Sequence, residues 1–150
     1  MTKVKNKAKK PDTLWKEIIK DLFEDFINFF IEDLAKEINF SKGFEFLDKE
    51  LSKLSSNAEA INRDADLLVK VFLRNGKEKI VLIHIEVQGY KDENFPQRMF
   101  TYYYRILDKF EKDITAIAVL TDGDKNYNPN KYEKEFNETK ILYKYKTYKI

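Results

Sequence analysis

Apolar and polar residues alternate through the middle of the chain in two runs separated by a short polar interruption. Residues 65–71 read Ala-Asp-Leu-Leu-Val-Lys-Val and residues 80–88 read Ile-Val-Leu-Ile-His-Ile-Glu-Val-Gln, with Asn75-Gly76 between them. Two β-branched-rich runs around an Asn-Gly predict a β-hairpin. Successive strand side chains point oppositely, so Ala65, Leu67, Val69 and Val71 share a core-facing side with Val81, Ile83, Ile85 and Val87. The other side carries Asp66, Leu68, Lys70 and Phe72, with Leu82, His84, Glu86 and Gln88. A two-residue turn would bury Val69 on the side of Glu86, and the apolar pattern forbids it. A three-residue loop sets Asp66 opposite His84, and a five-residue loop sets it directly across from Glu86. In both registers the two carboxylates stand roughly 5–8 Å apart at Cβ.

The same patterns place the other elements. Trp15, Ile18, Ile19, Leu22, Phe23, Phe26, Ile27, Phe30, Leu34 and Ile38 recur at helical spacing. They predict one helix starting near Asp12 or Thr13, or two with a break near Glu32, ending before Ser41-Lys42-Gly43. Residues 44–48 alternate as a first strand, and residues 52–62 form a polar connection. Asn94 and Pro96 announce a helix that runs to about Glu111. Met99, Tyr103, Ile106 and Phe110 are its expected buried stripe, while Arg98, Tyr102, Arg105 and Lys109 form a second, outward stripe. Residues 114–120 are continuously apolar, as an interior strand buried on both faces is. Residues 126–139 read as polar loop and residues 141–150 as a final edge strand. Helix, strand, hairpin, helix, strand, strand is an α/β order: one mixed sheet flanked by helices, with a right-handed parallel crossover from Gln88 to Ile114.

Two like charges so close favour a cation between them. Carboxylate oxygens with room for water suit a hard divalent ion such as Mg2+ or Mn2+, which keeps several waters and takes one or two protein carboxylates. Such an ion activates water and stabilises a phosphate in displacement. The plainer account pairs Asp66 with Lys70 or Arg63, and Glu86 with a lysine. On the second helix, guanidinium groups give bidentate phosphate contacts and tyrosine stacks on bases, so Arg98, Tyr102 and Arg105 suit a nucleic-acid strand. A solvated basic face accounts for the charges equally well.

These pieces together resemble a known family. Asp66, a hairpin, and Ile85-Glu86-Val87-Gln88 at the end of its second strand resemble the half-motif of the PD-(D/E)XK nuclease superfamily. More narrowly, the chain resembles the bacterial Rpn family of recombination-promoting nucleases, also described as YhgA-like transposases. The likeness is carried by residues 12–19, 44–51, 63–71 and 82–88, by Arg98-Met99-Phe100, and by Tyr102 with Tyr104-Arg105-Ile106. It implies an αβββαβ core and a metal-dependent DNA endonuclease in which Asp66 and Glu86 hold Mg2+ or Mn2+. It further implies that the backbone carbonyl of Val87 completes the coordination. Gln88 would orient the attacking water, and Arg98 and Tyr102 would hold the strand. Many superfamily members carry lysine where Gln88 stands, and the change removes a cation beside that water. Lys70, roughly 13 Å along the strand from Asp66, is a poor replacement. The first helix of the superfamily often adds an acidic residue; Glu17 faces water on a helical wheel, and Asp12 is better placed though equally a cap. Lys16 falls in the same stretch. Family members commonly continue into further helices, so the likeness implies a shortened member.

Composition narrows the alternatives. The 150 residues predict one domain, residues 12–150, behind a flexible basic arm at residues 1–11 that contains five lysines. There is no cysteine, which removes thiolate metal sites and thiol nucleophiles, and the single histidine, His84, counts against a Ser-His-Asp triad. The net charge of +2 is a weak nucleic-acid signal, and only the lysine-rich ends strengthen it. No stretch reaches transmembrane length and the basic start lacks the apolar segment of a secretory signal, so no membrane partner is expected and the cytoplasm is the default. The rival to an enzyme is a catalytically inactive, shortened family member that binds DNA or protein. Missing terminal helices would leave apolar sheet surface exposed and favour a homo-oligomer.

Overall fold

The computed structural model describes residues 11–54, 66–74 and 80–150, without the side chains of Pro11 and Asp12. The predicted basic arm, the connection after residue 54, Arg63, Ala65 and the Asn75-Gly76 turn lie outside the described residues, as does any side-chain role of Asp12. Three helices open the chain: α1 (Pro11–Asp21), α2 (Phe23–Phe30) and α3 (Glu32–Glu37). The expected break near Glu32 falls at Ile31, whose φ of −135° is not helical. A second interruption at Leu22 leaves the apolar stripe continuous across the joint. A 3-10 turn (Phe40–Lys42) leads to β1 (Phe44–Phe46) and the short α4 (Asp48–Lys53), which occupies the start of the predicted polar connection. The hairpin strands are β2 (Asp66–Phe72) and β3 (Ile80–Gln88), followed by α5 (Phe95–Phe110) and β4 (Asp113–Leu120).

The central sheet has the order β1-β2-β3-β4-β7, where β7 is Lys146–Lys149. β1, β2 and β3 pair antiparallel, whereas β4 lies parallel to β3 and β7 parallel to β4. This is a mixed α/β sheet with the parallel β3-to-β4 crossover that α5 was expected to make. Two expectations for the end of the chain change. The predicted polar loop contains β5 (Lys131–Phe136), and it forms a separate antiparallel hairpin with β6 (Thr139–Lys144). Only the last residues, as β7, form the sheet's edge. β5 escapes the periodicity because its face-to-face alternation is almost all polar, and only Tyr132 among its residues is even half-buried.

Helices cover both sides of the sheet. On one side Ile19, Phe23, Phe26, Ile27 and Ile31 of α1–α3 pack on Leu67, Val69, Val71, Val81, Ile83, Ile85 and Val87, the side assigned to the core by alternation. On the other, α5 lays Phe95, Met99, Tyr102 and Ile106 over Leu68 and Leu82 of the hairpin and Ala116, Ala118 and Leu120 of β4. Among the described residues of the central sheet, Phe44 on β1 is the one large apolar side chain left exposed. The large apolar side chains most exposed among the described residues, Phe29 and Phe136, sit on α2 and at the end of β5. The small Ala116 and Ala118 leave room above β4 for the rings of Tyr143 and Tyr145, which bring the β5–β6 hairpin against the sheet.

Candidate active site at the end of the hairpin

Asp66 begins β2 and Glu86 stands near the end of β3, with their Cα atoms directly paired. That is the register of the five-residue loop. Leu68 takes the place opposite His84. Directly opposed residues in an antiparallel pair put their Cβ atoms roughly 4.5–5.5 Å apart on one face. Asp66, His84, Glu86 and Gln88 thus gather on the side of the sheet beneath α5. They are buried, with Asp66 5%, Glu86 2% and Gln88 4% exposed. Carboxylates at such depth need compensating charge or hydrogen bonds.

Arg98 provides much of it. It lies in the first turns of α5, and its planar guanidinium reaches three acceptors: Nε donates to Glu86 Oε1 at 3.0 Å, Nη1 to Asp92 Oδ2 at 2.7 Å and Nη2 to Gln88 Oε1 at 2.8 Å. Burial opposes the charge on Arg98, but Glu86 and Asp92 outweigh it and push the guanidinium above its usual range. It stays protonated at any ordinary pH. Gln88 is fixed from its other end, where Nε2 donates to the carbonyl of Tyr90 at 3.1 Å. His84 Nε2 sits 3.8 Å from Glu86 Oε2, and its ring lies 5.2 Å from that of Tyr102.

The loop between β3 and α5 is held as firmly. Asp92 Oδ1 accepts from the Asn94 amide at 2.9 Å, and the Tyr127 hydroxyl both accepts from the Asp92 amide and donates to the Asp92 carbonyl. Tyr127 is in turn tied to Lys149, whose Nζ donates to the Tyr127 carbonyl and bridges to Asp122 Oδ1 at 2.9 Å. One line of contacts therefore runs from the sheet's edge strand to the carboxylates of the hairpin. Asp92 and Tyr127 were not legible as site residues. The one local signal is the spacing Asp92-x-Asn94, which forms an Asx turn; Tyr127 sits in a stretch with no periodicity.

The expected outward stripe on α5 is not formed. Tyr102 is 3% exposed and belongs to the core with Leu68, Leu82 and Ile106. Arg105 donates to the carbonyl of Leu54 at 3.0 Å. The Arg98 fork is filled by Glu86, Gln88 and Asp92 instead of facing solvent. Helical phase turns Tyr102 inward beside Met99 and Ile106, and both guanidinium groups make contacts within the fold. Of the other candidates, Glu17 is exposed, Lys16 lies 3.7 Å from Asp48, and Lys70 lies 3.8 Å from Glu45, well away from Gln88. The Val87 side chain points to the opposite core, which leaves only its backbone on offer.

Among the described residues, no three or more His, Cys, Asp or Glu side chains cluster as metal ligands. The two carboxylates and the Gln88 amide are a hard-oxygen set of the size that a hydrated Mg2+ or Mn2+ takes from protein, and their chemistry fits such an ion. Comparison with protein-family models, with curated proteins and with solved structures finds no match to this chain. Nor is any helix among the described residues long and apolar enough to cross a membrane.

Proposed function

We propose that the chain is a metal-dependent DNA endonuclease of the PD-(D/E)XK type, related to the recombination-promoting nucleases it resembles in sequence. The observation that carries this reading is the direct cross-strand pairing of Asp66 with Glu86, with Gln88 two residues on along the same face. A mixed sheet in which α1–α3, β1, β2, β3, α5 and β4 follow one another, with the short α4 between β1 and β2, supports this reading. Asp66 and Glu86 would hold Mg2+ or Mn2+, with the Val87 carbonyl as a further donor. When bound, such an ion supplies charge to the phosphoryl oxygens and lowers the pKa of a coordinated water. Gln88 would orient an attacking water through its amide. Arg98 fixes the Glu86 carboxylate and the Gln88 amide in one geometry, so it is a positioning residue for both.

One observation favours a second reading, a non-catalytic module of the same fold that binds DNA or another copy of itself. Glu86 already has a cation, Arg98, in a setting where it is 2% exposed. Nicking of supercoiled plasmid by purified protein in Mg2+ or Mn2+ separates the two. The endonuclease predicts nicking that Asp66→Ala and Glu86→Ala each abolish. Absence of nicking, or nicking that survives both substitutions, refutes it and leaves the binding module.

A further inference from the structure

On the α5 side of the sheet, beyond the carboxylates, lies a cleft that the endonuclease reading does not use. It has a volume of about 510 Å³ and lies between α5, the first half of β4 and the segment joining β6 to β7. That is within the roughly 300–1,000 Å³ of small-molecule sites.

Its lining describes its ligand. Phe100 and Tyr103 of α5 and Tyr143 of β6 form aromatic walls, with ring centroids 5.8 Å apart for Phe100–Tyr143 and 4.9 Å for Tyr103–Tyr143. Tyr143 and Tyr145 are more than nine-tenths buried, and their hydroxyls have no hydrogen-bond partner among the described residues. Burial pushes both hydroxyls well above the usual tyrosine range, so both remain protonated donors at neutral pH. β7 pairs with β4 only from Ile117 to Leu120, and no strand among the described residues covers that edge at Ile114, Thr115 and Ala116, which line the cleft. An open strand edge offers backbone donors and acceptors. Lys144 and Lys146 also line it, and no carboxylate does.

One wall of packed aromatic rings, backbone donors and acceptors at an open strand edge, and two lysines fit a planar heterocycle bearing an anion. We propose that this cleft binds a nucleotide: the base lies against Phe100, Tyr103 and Tyr143, its edge meets the uncovered edge of β4, and the phosphate meets Lys144 and Lys146. The source is either a free mononucleotide or an unpaired nucleotide of a single strand. The proposal rests on the endonuclease reading only in making that strand a substrate; binding itself needs neither Asp66 nor Glu86.

The test is a fluorescence titration of the full chain, without divalent metal, against a 2-aminopurine mononucleotide and against single-stranded and duplex oligonucleotides carrying the same base. Stacking predicts saturable quenching by the mononucleotide if the ligand is free, and by the single strand alone if it is a strand. Tyr103→Ala weakens binding at least about fivefold, the low end for loss of one base stack. Tyr143→Phe keeps the ring and weakens it less. Lys144→Ala with Lys146→Ala, both exposed positions that leave the fold intact, lowers the salt dependence of single-strand binding by roughly one phosphate contact. Absence of saturable quenching by any probe overturns the proposal, as does quenching unaffected by the aromatic and lysine substitutions. Binding without plasmid nicking counts against the endonuclease and not against the cleft; nicking with no binding in the cleft does the reverse.

Discussion

Replacing Arg98 by alanine strands two carboxylates at once. Glu86 is the costly one, since its side chain is 3% exposed and its Oε1 lies 3.0 Å from Arg98 Nε. At an effective dielectric of about 20 that pair is worth about 5 kcal/mol of Coulomb attraction before desolvation. Breaking a buried pair by removing one partner typically costs roughly 3–5 kcal/mol. Asp92 is more open to water and adds less. The expectation for Arg98→Ala is therefore a loss of about 3–5 kcal/mol, a large part of the roughly 5–15 kcal/mol that holds a domain together. Urea unfolding followed by circular dichroism measures it. Arg98→Lys keeps the charge and loses the three-way fork, and the loss should be smaller, about 1–2 kcal/mol. The decisive comparison adds Glu86→Gln to Arg98→Ala. A neutral amide no longer requires a cation, so the double variant should regain about 2 kcal/mol over Arg98→Ala alone. A loss below about 1 kcal/mol, the value of an exposed ion pair, or no recovery in the double variant would refute the view that Arg98 sustains a buried Glu86.

Two further outcomes follow from backbone and burial. Glu138 holds φ at 72° beside Asn137 at 48° in the two-residue turn of the β5–β6 hairpin, so Glu138→Gly should stabilise the protein by about 1 kcal/mol in chemical denaturation, and an unchanged or lowered midpoint speaks against the strain. Burial raises Tyr127, Tyr143 and Tyr145 above 10.0, the ordinary value, so the folded chain keeps protons that the unfolded chain releases. The associated stability is complete below pH 10 and falls as pH rises beyond it, by up to about 1.4 kcal/mol per pH unit for Tyr143. Unfolding followed across that range should show the decline, and Tyr143→Phe with Tyr145→Phe should flatten it; an unaltered slope contradicts the assignment.

How far the sequence reveals the structure depends on what each residue is buried against. The β2–β3 faces were readable because alternation and β-branching both report a strand with distinct sides, and the apolar set on β3 rules out half the registers. It could not choose between Asp66 opposite His84 and Asp66 opposite Glu86, since those registers put the same residues on the same side. On α5 the adjacent Tyr102 and Tyr103 both fit an apolar stripe. Met99, Tyr102 and Ile106 stand at spacings of three and four, yet Met99 and Tyr103 at four compete with them, and only packing on Leu82 and His84 decides. Arg98 was expected to hold a nucleic-acid strand, but chain order carries no sign of whether a guanidinium turns outward to a phosphate or inward to a carboxylate. β5 was missed for a different reason. Its turn is Asn137-Glu138 rather than Asn-Gly, and its residues pair with β6 without facing a deep core, so neither turn chemistry nor hydrophobic period marks it.

That same strand bears on whether a neighbouring copy can add to the hairpin. β5 leaves one edge with no partner strand among the described residues, and a free edge of this kind is a template on which a neighbouring chain can add itself. Four of its six residues, Lys131, Glu133, Lys134 and Glu135, are charged and exposed. Any strand that docked there would have to strip water from those groups and match their order of signs. Exchanging them for threonine and valine would keep the hairpin's pairing while removing that barrier, turning a solitary hairpin into a seed for fibrils.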